Sequence, residues 1–433
     1  MTAIHPLHQM MENRRNGKKE GIPSYCSANK YVLEAALERA KALNRPTLIE
    51  ATANQVNQFG GYTGMRPKDF KDLVTGMAKE MDVDTDLLIL AGDHLGPLTW
   101  SDEPEKEAMK KAEDLVREFV EAGFTKIHLD TSMKLGDDPK TEMLATEVIA
   151  RRGVKLYKAC IDSYEKLKKT DPDAMRPVFI IGSEVPIPGG AQEAEEGVSV
   201  TRPEDFRDTV DTYKRIFAEE GAKEAWKDII AVVVQPGVEF GDAQVFYYDR
   251  ENAKDLCESL KDYPEIVFEG HSTDYQSRKC LKEMVEDGIA ILKVGPALTF
   301  GLRESLFALS RVEEELISEE KRARFEDVLI DAMLEEPKNW KKHYHGSEGE
   351  IAFARKYSYS DRCRYYIGDE KVQGAIDKLI ENLSGIEIPM NIIHQYLPKQ
   401  YDKIVNGELE KTPVAMIKDG VAQYMEDYEY AAY

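Results

Sequence analysis

The chain has 433 residues, of which 42% are hydrophobic and 32% are charged, so a sizeable core can form under a well-solvated surface. Its 58 basic and 80 acidic residues give a net charge of −22. A surface of that sign repels phosphate backbones, which argues against a general nucleic-acid-binding protein.

The five cysteines are dispersed and show no CxxC spacing. This pattern indicates a reducing compartment rather than a disulfide scaffold or a thiolate zinc site. The N-terminal region lacks an apolar stretch long enough for a signal peptide or a membrane anchor. We therefore expect a cytoplasmic protein that has no membrane partner.

Eight short apolar runs alternate with longer helical patterns, and each run predicts a β-strand. The predicted strands cover residues 22–27, 47–51, 87–91, 126–130, 178–182, 229–235, 265–269 and 290–294. Most of them are nearly continuous Val, Ile, Leu and Phe, as expected of parallel strands that helices cover. The clearest amphipathic helix is Glu105–Ala122, which follows Pro104 and ends before Gly123.

Repeated βα units predict a parallel sheet, and eight of them fit a closed (β/α)₈ barrel, or TIM barrel. An open, doubly wound sheet is the alternative, but no GxGxxG motif follows the first strand. We assign residues 21–317 to the barrel. Residues 1–20 then form an N-terminal extension, and residues 318–433 form a mainly helical C-terminal extension.

Polar or ionisable side chains lie at or near the carboxyl end of every predicted strand. In a closed barrel these ends meet at one mouth, where the chemistry of such proteins gathers. The residues are Cys26, Ser27, Glu50, Asp93, His94, His128, Asp130, Glu184, Gln235, Glu269, His271 and Lys293. Packing alone does not explain this regularity, so the sequence predicts an active site at the mouth.

The mixture of imidazoles and carboxylates suits a divalent metal ion such as Zn²⁺, Mn²⁺ or Co²⁺. We predict His94, Glu269 and His271 as ligands, with Glu184 as a fourth candidate. Glu269 and His271 are two residues apart and point to the same side of an extended strand, as two ligands or as a ligand and its hydrogen-bond partner. A metal there polarises a carbonyl and stabilises an enediolate, as aldol cleavage or epimerisation by that route requires.

Four residues are predicted to take part in catalysis. Asp130 is the preferred proton carrier, with Glu184 as the other carboxylate for that task, and Asp93 stands next to His94. His128 or Gln235 would orient the reacting groups. Asp130 is equally consistent with a role in which it only orients His128.

Contacts with the substrate are predicted from the remaining strand ends and from the C-terminal extension. The candidates are Glu50, Gln235, Ser272, Thr273, Lys293 and Arg362. Ser272 and Thr273 follow strand 7, where barrels often bind phosphate. Glu50 is also consistent with an ordinary carboxylate of the barrel interior, and Lys293 with an ion-paired lysine or a Schiff-base amine. Residues 356–364 either fold over the mouth and supply cations or pack on the flank of the barrel.

At these residues the chain resembles the long, Z-type tagatose-bisphosphate aldolase subunits of the galactitol and N-acetylgalactosamine pathways. The resemblance runs from about residue 21 to about residue 413, and its motifs include QFGGYTGM at 58–65, GDHLGP at 92–97 and LKVGPALTF at 292–300. Further matching stretches are 49–56, 126–130, 184–186, 233–240, 271–276 and 357–362. Such long motifs make a chance match implausible.

The resemblance implies a class II aldolase-like barrel that binds tagatose or fructose phosphates. Shorter class II aldolases bind their metal through three histidines. Aligned by order, the first is His94, the second falls near Gln235, and the third falls near Glu269 or His271. No histidine stands at the second position, so the family resemblance does not imply an unmodified aldolase mechanism.

Two roles within that family compete. Some members stabilise a separate class II aldolase subunit, whereas others, long labelled as aldolase or tagatose 6-phosphate kinase, are similar to C4-epimerases of ketohexose phosphates. A kinase is excluded because no Walker-type loop or kinase signature is present. Our hypothesis is a metal-dependent C4-epimerase of fructose 6-phosphate and tagatose 6-phosphate, working as a homo-oligomer. A non-catalytic subunit of a tagatose-bisphosphate aldolase is the alternative.

Overall fold

Eight parallel strands pair edge to edge and close into a barrel, as the computed structural model of the protein shows for residues 4–185 and 198–433. The strands are β1 (Ile22–Cys26), β2 (Thr47–Thr52), β3 (Leu88–Leu95), β4 (Lys126–Leu129), β5 (Val178–Ile181), β6 (Ile229–Val234), β9 (Val267–Gly270) and β10 (Ile289–Val294), with a small antiparallel hairpin formed by β7 (Glu239–Phe240) and β8 (Val245–Phe246). Neighbours follow chain order, and β10 pairs with β1 to complete the ring. The predicted (β/α)₈ barrel is confirmed.

Helices alternate with the strands and continue beyond the barrel. They are α1 (Pro6–Arg15), α2 (Lys30–Leu43), α3 (Pro67–Glu80), α4 (Glu105–Ala122), α5 (Thr146–Thr170), α6 (Pro203–Glu219), α7 (Arg250–Ser259), α8 (Arg278–Asp287), α9 (Pro296–Leu316), α10 (Phe325–Glu335), α11 (Glu348–Tyr357), α12 (Glu370–Ser384), α13 (Met390–Tyr396), α14 (Pro398–Val405) and α15 (Pro413–Ala432). The bounds of α4 are those predicted, because Gly123 adopts a left-handed φ of 94° and ends the helix. No helix in the described ranges combines the length and apolarity needed to cross a membrane.

The C-terminal region is helical, as predicted, and its last helix belongs to the shell around the barrel. Helix α15 packs against α2, α8, α9 and strand β1. The contact with α9 is close: a Cβ on Gly420 would lie 1.8 Å from Ser305 Oγ. Helix α9 ends at Leu316, although the division of the chain at residue 317 into barrel and extension stays a prediction.

The N-terminal helix α1 contributes to the core inside the barrel. Leu7, Met10 and Met11 are buried there, together with strand residues such as Leu48 and Ile230. The mouth at the carboxyl ends of the strands is therefore free to carry polar groups, while apolar side chains fill the interior away from it.

His5 fixes the start of α1 and gives the fold an expected pH dependence. Its Nδ1 accepts a hydrogen bond from the Leu7 amide, and its Nε2 donates to the Thr125 carbonyl, both at 3.1 Å. Burial, with the charge of His8, lowers the pKa of His5 to about 3, against the opposing hydrogen bond to Thr125. The unfolded chain, with an ordinary histidine pKa near 6.5, therefore binds more protons between about pH 3 and 6.5, and stability falls as the pH falls through that range.

Through His5, the native chain should lose about 2 kcal/mol of stability between pH 7 and pH 5. We expect this part of the loss to be absent in His5→Gln. Urea unfolding at both pH values measures this difference, and His345→Gln, at an exposed histidine, is the matched control. The histidines at the barrel mouth are present in both chains, so the comparison isolates the change at His5. An unchanged pH dependence in the His5 variant would contradict the assignment.

Candidate active site at the barrel mouth

A cavity of about 910 Å³ opens at the carboxyl ends of the strands. Strands β1, β2, β3, β9 and β10 contribute residues to its wall at their ends, and the C-terminal extension supplies further ones, among them Lys338, Arg364 and Tyr365. The size is that of a small-molecule binding site. The extension therefore forms part of the cavity rather than only packing on the barrel flank.

The end of β3 departs from regular strand geometry and so brings two adjacent side chains into the cavity. Consecutive residues of a strand normally point to opposite faces. His94 adopts a left-handed φ of 48°, and the register between β3 and β4 shifts between Gly92 and Leu95. Asp93 and His94 consequently both line the cavity.

Three histidines, one on β3, one on β4 and one directly after β9, meet at this point. The ring centroids of His94, His128 and His271 lie 5.0, 5.0 and 5.1 Å apart. One ligand atom from each of them and one from Asp93 lie within 4.8 Å of one another. The geometry thus joins His94 and His271 to His128, which sequence reasoning had treated as an orienting residue.

Each of the three imidazoles has one nitrogen beside a buried carboxylate. The pairs are His94 Nδ1 with Asp130 Oδ2 at 2.7 Å, His128 Nδ1 with Asp93 Oδ1 at 2.9 Å, and His271 Nε2 with Glu269 Oε1 at 2.9 Å. Metal-binding histidines usually have such a partner, which fixes the tautomer and leaves the other nitrogen for the ion. His128 Nε2 is buried and has no hydrogen-bond partner among the described residues, so a cation would satisfy it.

The carboxylates beside the histidines stay ionised. Burial would raise the pKa of Asp130, but the hydrogen bond and charge of His94 hold it below its ordinary value. Asp130 also accepts from the Ser132 hydroxyl at 2.7 Å and does not line the cavity. Burial and the charge of Lys293 lower the pKa of His271 to about 3, against the hydrogen bond that its Nε2 donates to Glu269, so this imidazole is neutral.

Below the histidines, two lysines and three carboxylates form a buried ion-pair network. Lys126 contacts Glu50 and lies 2.7 Å from Glu269, while Lys293 contacts Asp93 and lies 3.1 Å from Glu50. Burial works against both ammonium charges, but these carboxylates raise the pKa of each lysine above its ordinary value. Lys293 is thus held as a cation, which disfavours a Schiff-base role.

Lys126 was missed by sequence reasoning. The available signal is its position two residues before His128, since alternate residues of β4 share one face of the strand. A lysine inside a barrel must be paired, so its inward position could have indicated the carboxylates around it.

Two of the predicted residues lie away from this network. Gln235 Oε1 accepts hydrogen bonds from the amides of Gly237 and Val238 and so holds its own loop. Glu184 is exposed and accepts from the Thr201 hydroxyl at 3.0 Å. Neither lines the cavity, and the glycine-rich stretch 186–190 lies outside the described residues.

The predicted substrate contacts divide between the cavity wall and its surroundings. Ser272 and Lys293 line the cavity, and Glu50 is buried beneath Lys293. Thr273 instead hydrogen-bonds to the carbonyl of Lys293 at 2.7 Å. Arg362 is buried behind the wall, and Arg364, two residues later, is the arginine that lines the cavity.

Backbone amides near the mouth are already engaged. Asp274 accepts from the amides of Gly295 and Ala297 at the start of α9. Burial, partly offset by these hydrogen bonds, raises the pKa of Asp274 to about 6. In the 57–64 loop, Asn57 Oδ1 accepts from the amides of residues 59 and 61. Both segments therefore use their amides internally.

Comparison with solved structures shows an extensive similarity to a bacterial protein. The chain is 42% identical to a protein from Sinorhizobium meliloti 1021 described as a probable tagatose 6 phosphate kinase, with a TM-score of 0.86 over 95% of this chain and 100% of that chain. The YdjI aldolase from Escherichia coli K12 is 13% identical with a TM-score of 0.42, covering 83% of this chain and 95% of that one. A fructose-bisphosphate aldolase from Campylobacter jejuni is 15% identical with a TM-score of 0.41, covering 87% and 91%. The last two similarities are too distant to bear on function.

The family comparison covers nearly the whole chain. A model of D-tagatose-1,6-bisphosphate aldolase subunits, GatZ/KbaZ-like, matches residues 7–433. This match confirms the resemblance that the sequence motifs indicated. The chain belongs to the GatZ/KbaZ-like family of D-tagatose-1,6-bisphosphate aldolase subunits.

Proposed function

We propose that the chain is a metal-dependent C4-epimerase of fructose 6-phosphate and tagatose 6-phosphate. Membership of the family supports a sugar-phosphate function related to tagatose-bisphosphate aldolase. The observation that carries the finer proposal is the cluster of three histidines, each paired with a carboxylate; His94 and His271 line the cavity, and His128 is buried beside them. A subunit with a purely structural role has no evident need for this arrangement.

The metal would be held by His94, His128 and His271. Their donor set suits Zn²⁺, Mn²⁺ or Co²⁺, and the unpartnered Nε2 of His128 supports the fit. This set replaces Glu269 of the sequence-based hypothesis with His128, because the Glu269 carboxylate is already paired with His271 and Lys126, whereas His128 has a ligand atom close to those of His94 and His271. When bound, the ion supplies positive charge that polarises a ketose carbonyl.

Asp93 is the residue best placed to move the proton of the C4 hydroxyl. It lines the cavity, whereas Asp130 lies outside its wall and holds His94. Burial would raise the pKa of Asp93, but the charges of His94 and Lys293 hold it well below its ordinary value, so it is ionised. Lys293 also lines the cavity and places an ammonium group beside this carboxylate.

The proposed reaction uses the same carboxylate twice. Asp93 takes the C4 hydroxyl proton, the C3–C4 bond breaks, and its electron pair stays on the ketose fragment as an enediolate, leaving C4 as an aldehyde. The aldehyde turns to present its other face, the C3–C4 bond re-forms, and Asp93 returns the proton to the new C4 oxygen. A cavity of about 910 Å³ is large enough to retain both fragments while one turns.

Incubation of the purified chain with fructose 6-phosphate tests the proposal. We expect tagatose 6-phosphate to accumulate, to stop when a chelator is added, and to resume when Mn²⁺, Co²⁺ or Zn²⁺ is restored. Sugar analysis after dephosphorylation measures the conversion, and His94→Ala purified in the same way controls for contaminating enzymes. No conversion with any of the three metals would contradict the epimerase.

A second candidate follows from the description of the matched family, which is one of aldolase subunits. In that role the chain alone would leave fructose 6-phosphate unchanged. It would instead increase the activity and half-life of a separate class II tagatose-bisphosphate aldolase. Measuring that enzyme with and without the chain distinguishes the two functions.

A further inference from the structure

Arg364 places a guanidinium on the cavity wall without a carboxylate beside it. The side chain lines the cavity, and no carboxylate oxygen of residues 4–185 or 198–433 lies within 4.0 Å of its nitrogens. Its Cζ lies 4.4 Å from the ring centroid of Tyr365, which in turn contacts Tyr62 from the β2–α3 loop. The guanidinium is thus held between the extension and the barrel.

Part of the hydrogen-bonding capacity of Arg364 is still available. Its Nη1 donates to the carbonyls of Ser360 and Asp361, and its Nη2 donates to the Tyr365 hydroxyl at 2.9 Å. A guanidinium has five N–H donors. With these three acceptors, two donors remain for a ligand in the cavity, counting only the described residues as partners.

A second guanidinium without a carboxylate partner lies close by. Arg362 is buried, and its Nε has no hydrogen-bond partner among the residues described. Burial and the charge of Arg364 lower the pKa of Arg362. Two neighbouring cations are costly to bury unless an anion offsets them. The exposed lysines Lys30 and Lys338 also line this cavity, but each is ion-paired, with Glu34 and Glu336 respectively, so the two arginines are the cations without a carboxylate partner among the described lining and wall residues.

Two amides at the usual anion site of a barrel are already engaged in this chain. Phosphate often binds to backbone amides after strands 7 and 8, which here are β9 and β10. The carboxylate of Asp274 already accepts from the amides of Gly295 and Ala297. A side-chain cation can supply what these two amides cannot, and Arg364 lines the same cavity as Asp274.

We propose that Arg364, with Arg362 behind it, binds the phosphate group of a sugar phosphomonoester. The identity of the sugar rests on the proposed function, but the anion site does not. Arg364 would accept the phosphate through its two remaining donors, since guanidinium and phosphate match in charge and in geometry. The C-terminal extension thereby selects phosphorylated sugars over free ones.

Calorimetric titration tests this site without turnover. Inorganic phosphate, fructose 6-phosphate and fructose are titrated into the full chain in the presence of a chelator. We expect Arg364→Gln to weaken the binding of both phosphate ligands roughly 10- to 150-fold. The matched control is Arg278→Gln, an arginine on α8 that pairs with Asp427 on the outside of the barrel, and it should bind phosphate like the unmodified chain.

Arg364→Lys keeps the charge but loses the planar fork, so we expect a smaller loss of phosphate affinity at an unchanged melting temperature. This variant decides the question if Arg364→Gln does not fold. Unchanged phosphate affinity in a folded Arg364 variant, or no phosphate binding by the unmodified chain, overturns the proposal. Phosphate binding through Arg364 in a chain without epimerase activity would refute only the proposed function.

Discussion

Replacing His128 by alanine is expected to remove the metal and the turnover together. Its Nε2 is buried without a partner among the described residues, and its ring lies about as far from His94 as from His271. Loss of a residue that only hydrogen-bonds to a metal ligand costs roughly 10- to 100-fold in activity or metal affinity, and loss of a ligand should exceed this. Metal content after dialysis and fructose 6-phosphate turnover are the two measurements.

Gln235→Ala is the control that distinguishes the ligand set read from the structure, which includes His128, from the one expected from the order of the aldolase histidines, which would include the position of Gln235. Order along the chain places the second aldolase histidine near Gln235, but this side chain binds the amides of its own loop. The variant should therefore keep its full metal content. Full metal content in His128→Ala, or metal loss in Gln235→Ala, would contradict the proposed ligand set.

The sequence predicts the barrel well because burial leaves a strong signal in it. Parallel strands covered on both faces must be apolar at almost every position, and runs such as Ile229–Val234 show this directly. The strand ends are harder to predict. Strand β3 continues to Leu95, beyond the predicted end at residue 91, because the left-handed His94 allows pairing to resume after a shift in register.

Residue types at the mouth are predictable, but their grouping is not. Lys126 and His128 share a strand face, yet their partners Glu50, Asp93 and Glu269 come from three other strands. Which carboxylate meets which cation depends on strand register and barrel closure, which no local pattern encodes. Glu269 shows the difficulty. Its spacing from His271 is equally consistent with a metal ligand, and only its contact with Lys126 in the structure favours its role as the hydrogen-bond partner of His271.

In the C-terminal extension, the sequence alone does not reveal which arginine lines the cavity. Arg362 and Arg364 are two residues apart in a stretch rich in aromatic and basic residues. The turn of 3₁₀ helix over Arg362–Tyr365 gives the two side chains different surroundings. One is buried behind the wall and the other lines the cavity. The sequence left open whether these cations lie over the mouth or on the barrel flank, and only the packing of the extension identifies Arg364 as the one that lines the cavity.

Lys126→Met is expected to destabilise the chain by about 3–5 kcal/mol, the usual cost of breaking a buried ion pair from one side. Lys126 is fully buried and contacts Glu50 and Glu269, which are fully buried as well. Burial would raise the pKa of Glu269, but the charges of Lys126 and Lys293 hold it low, so the carboxylate is ionised. Without Lys126, the partners left to that charge among the described residues are His271 and the more distant Lys293, 3.9 Å away.

Urea unfolding of three variants separates charge from packing as the cause. Lys155→Met, at an exposed lysine that pairs with Glu105, should change the free energy of unfolding by less than about 1 kcal/mol. Adding Glu50→Gln to Lys126→Met removes one unpaired carboxylate charge and should restore part of the loss. A small loss of unfolding free energy in Lys126→Met would contradict the prediction, and would mean that Glu50 and Glu269 are protonated or hydrated when the lysine is absent. Recovery in the double variant would instead show that Lys126 acts by neutralising the buried Glu50 carboxylate.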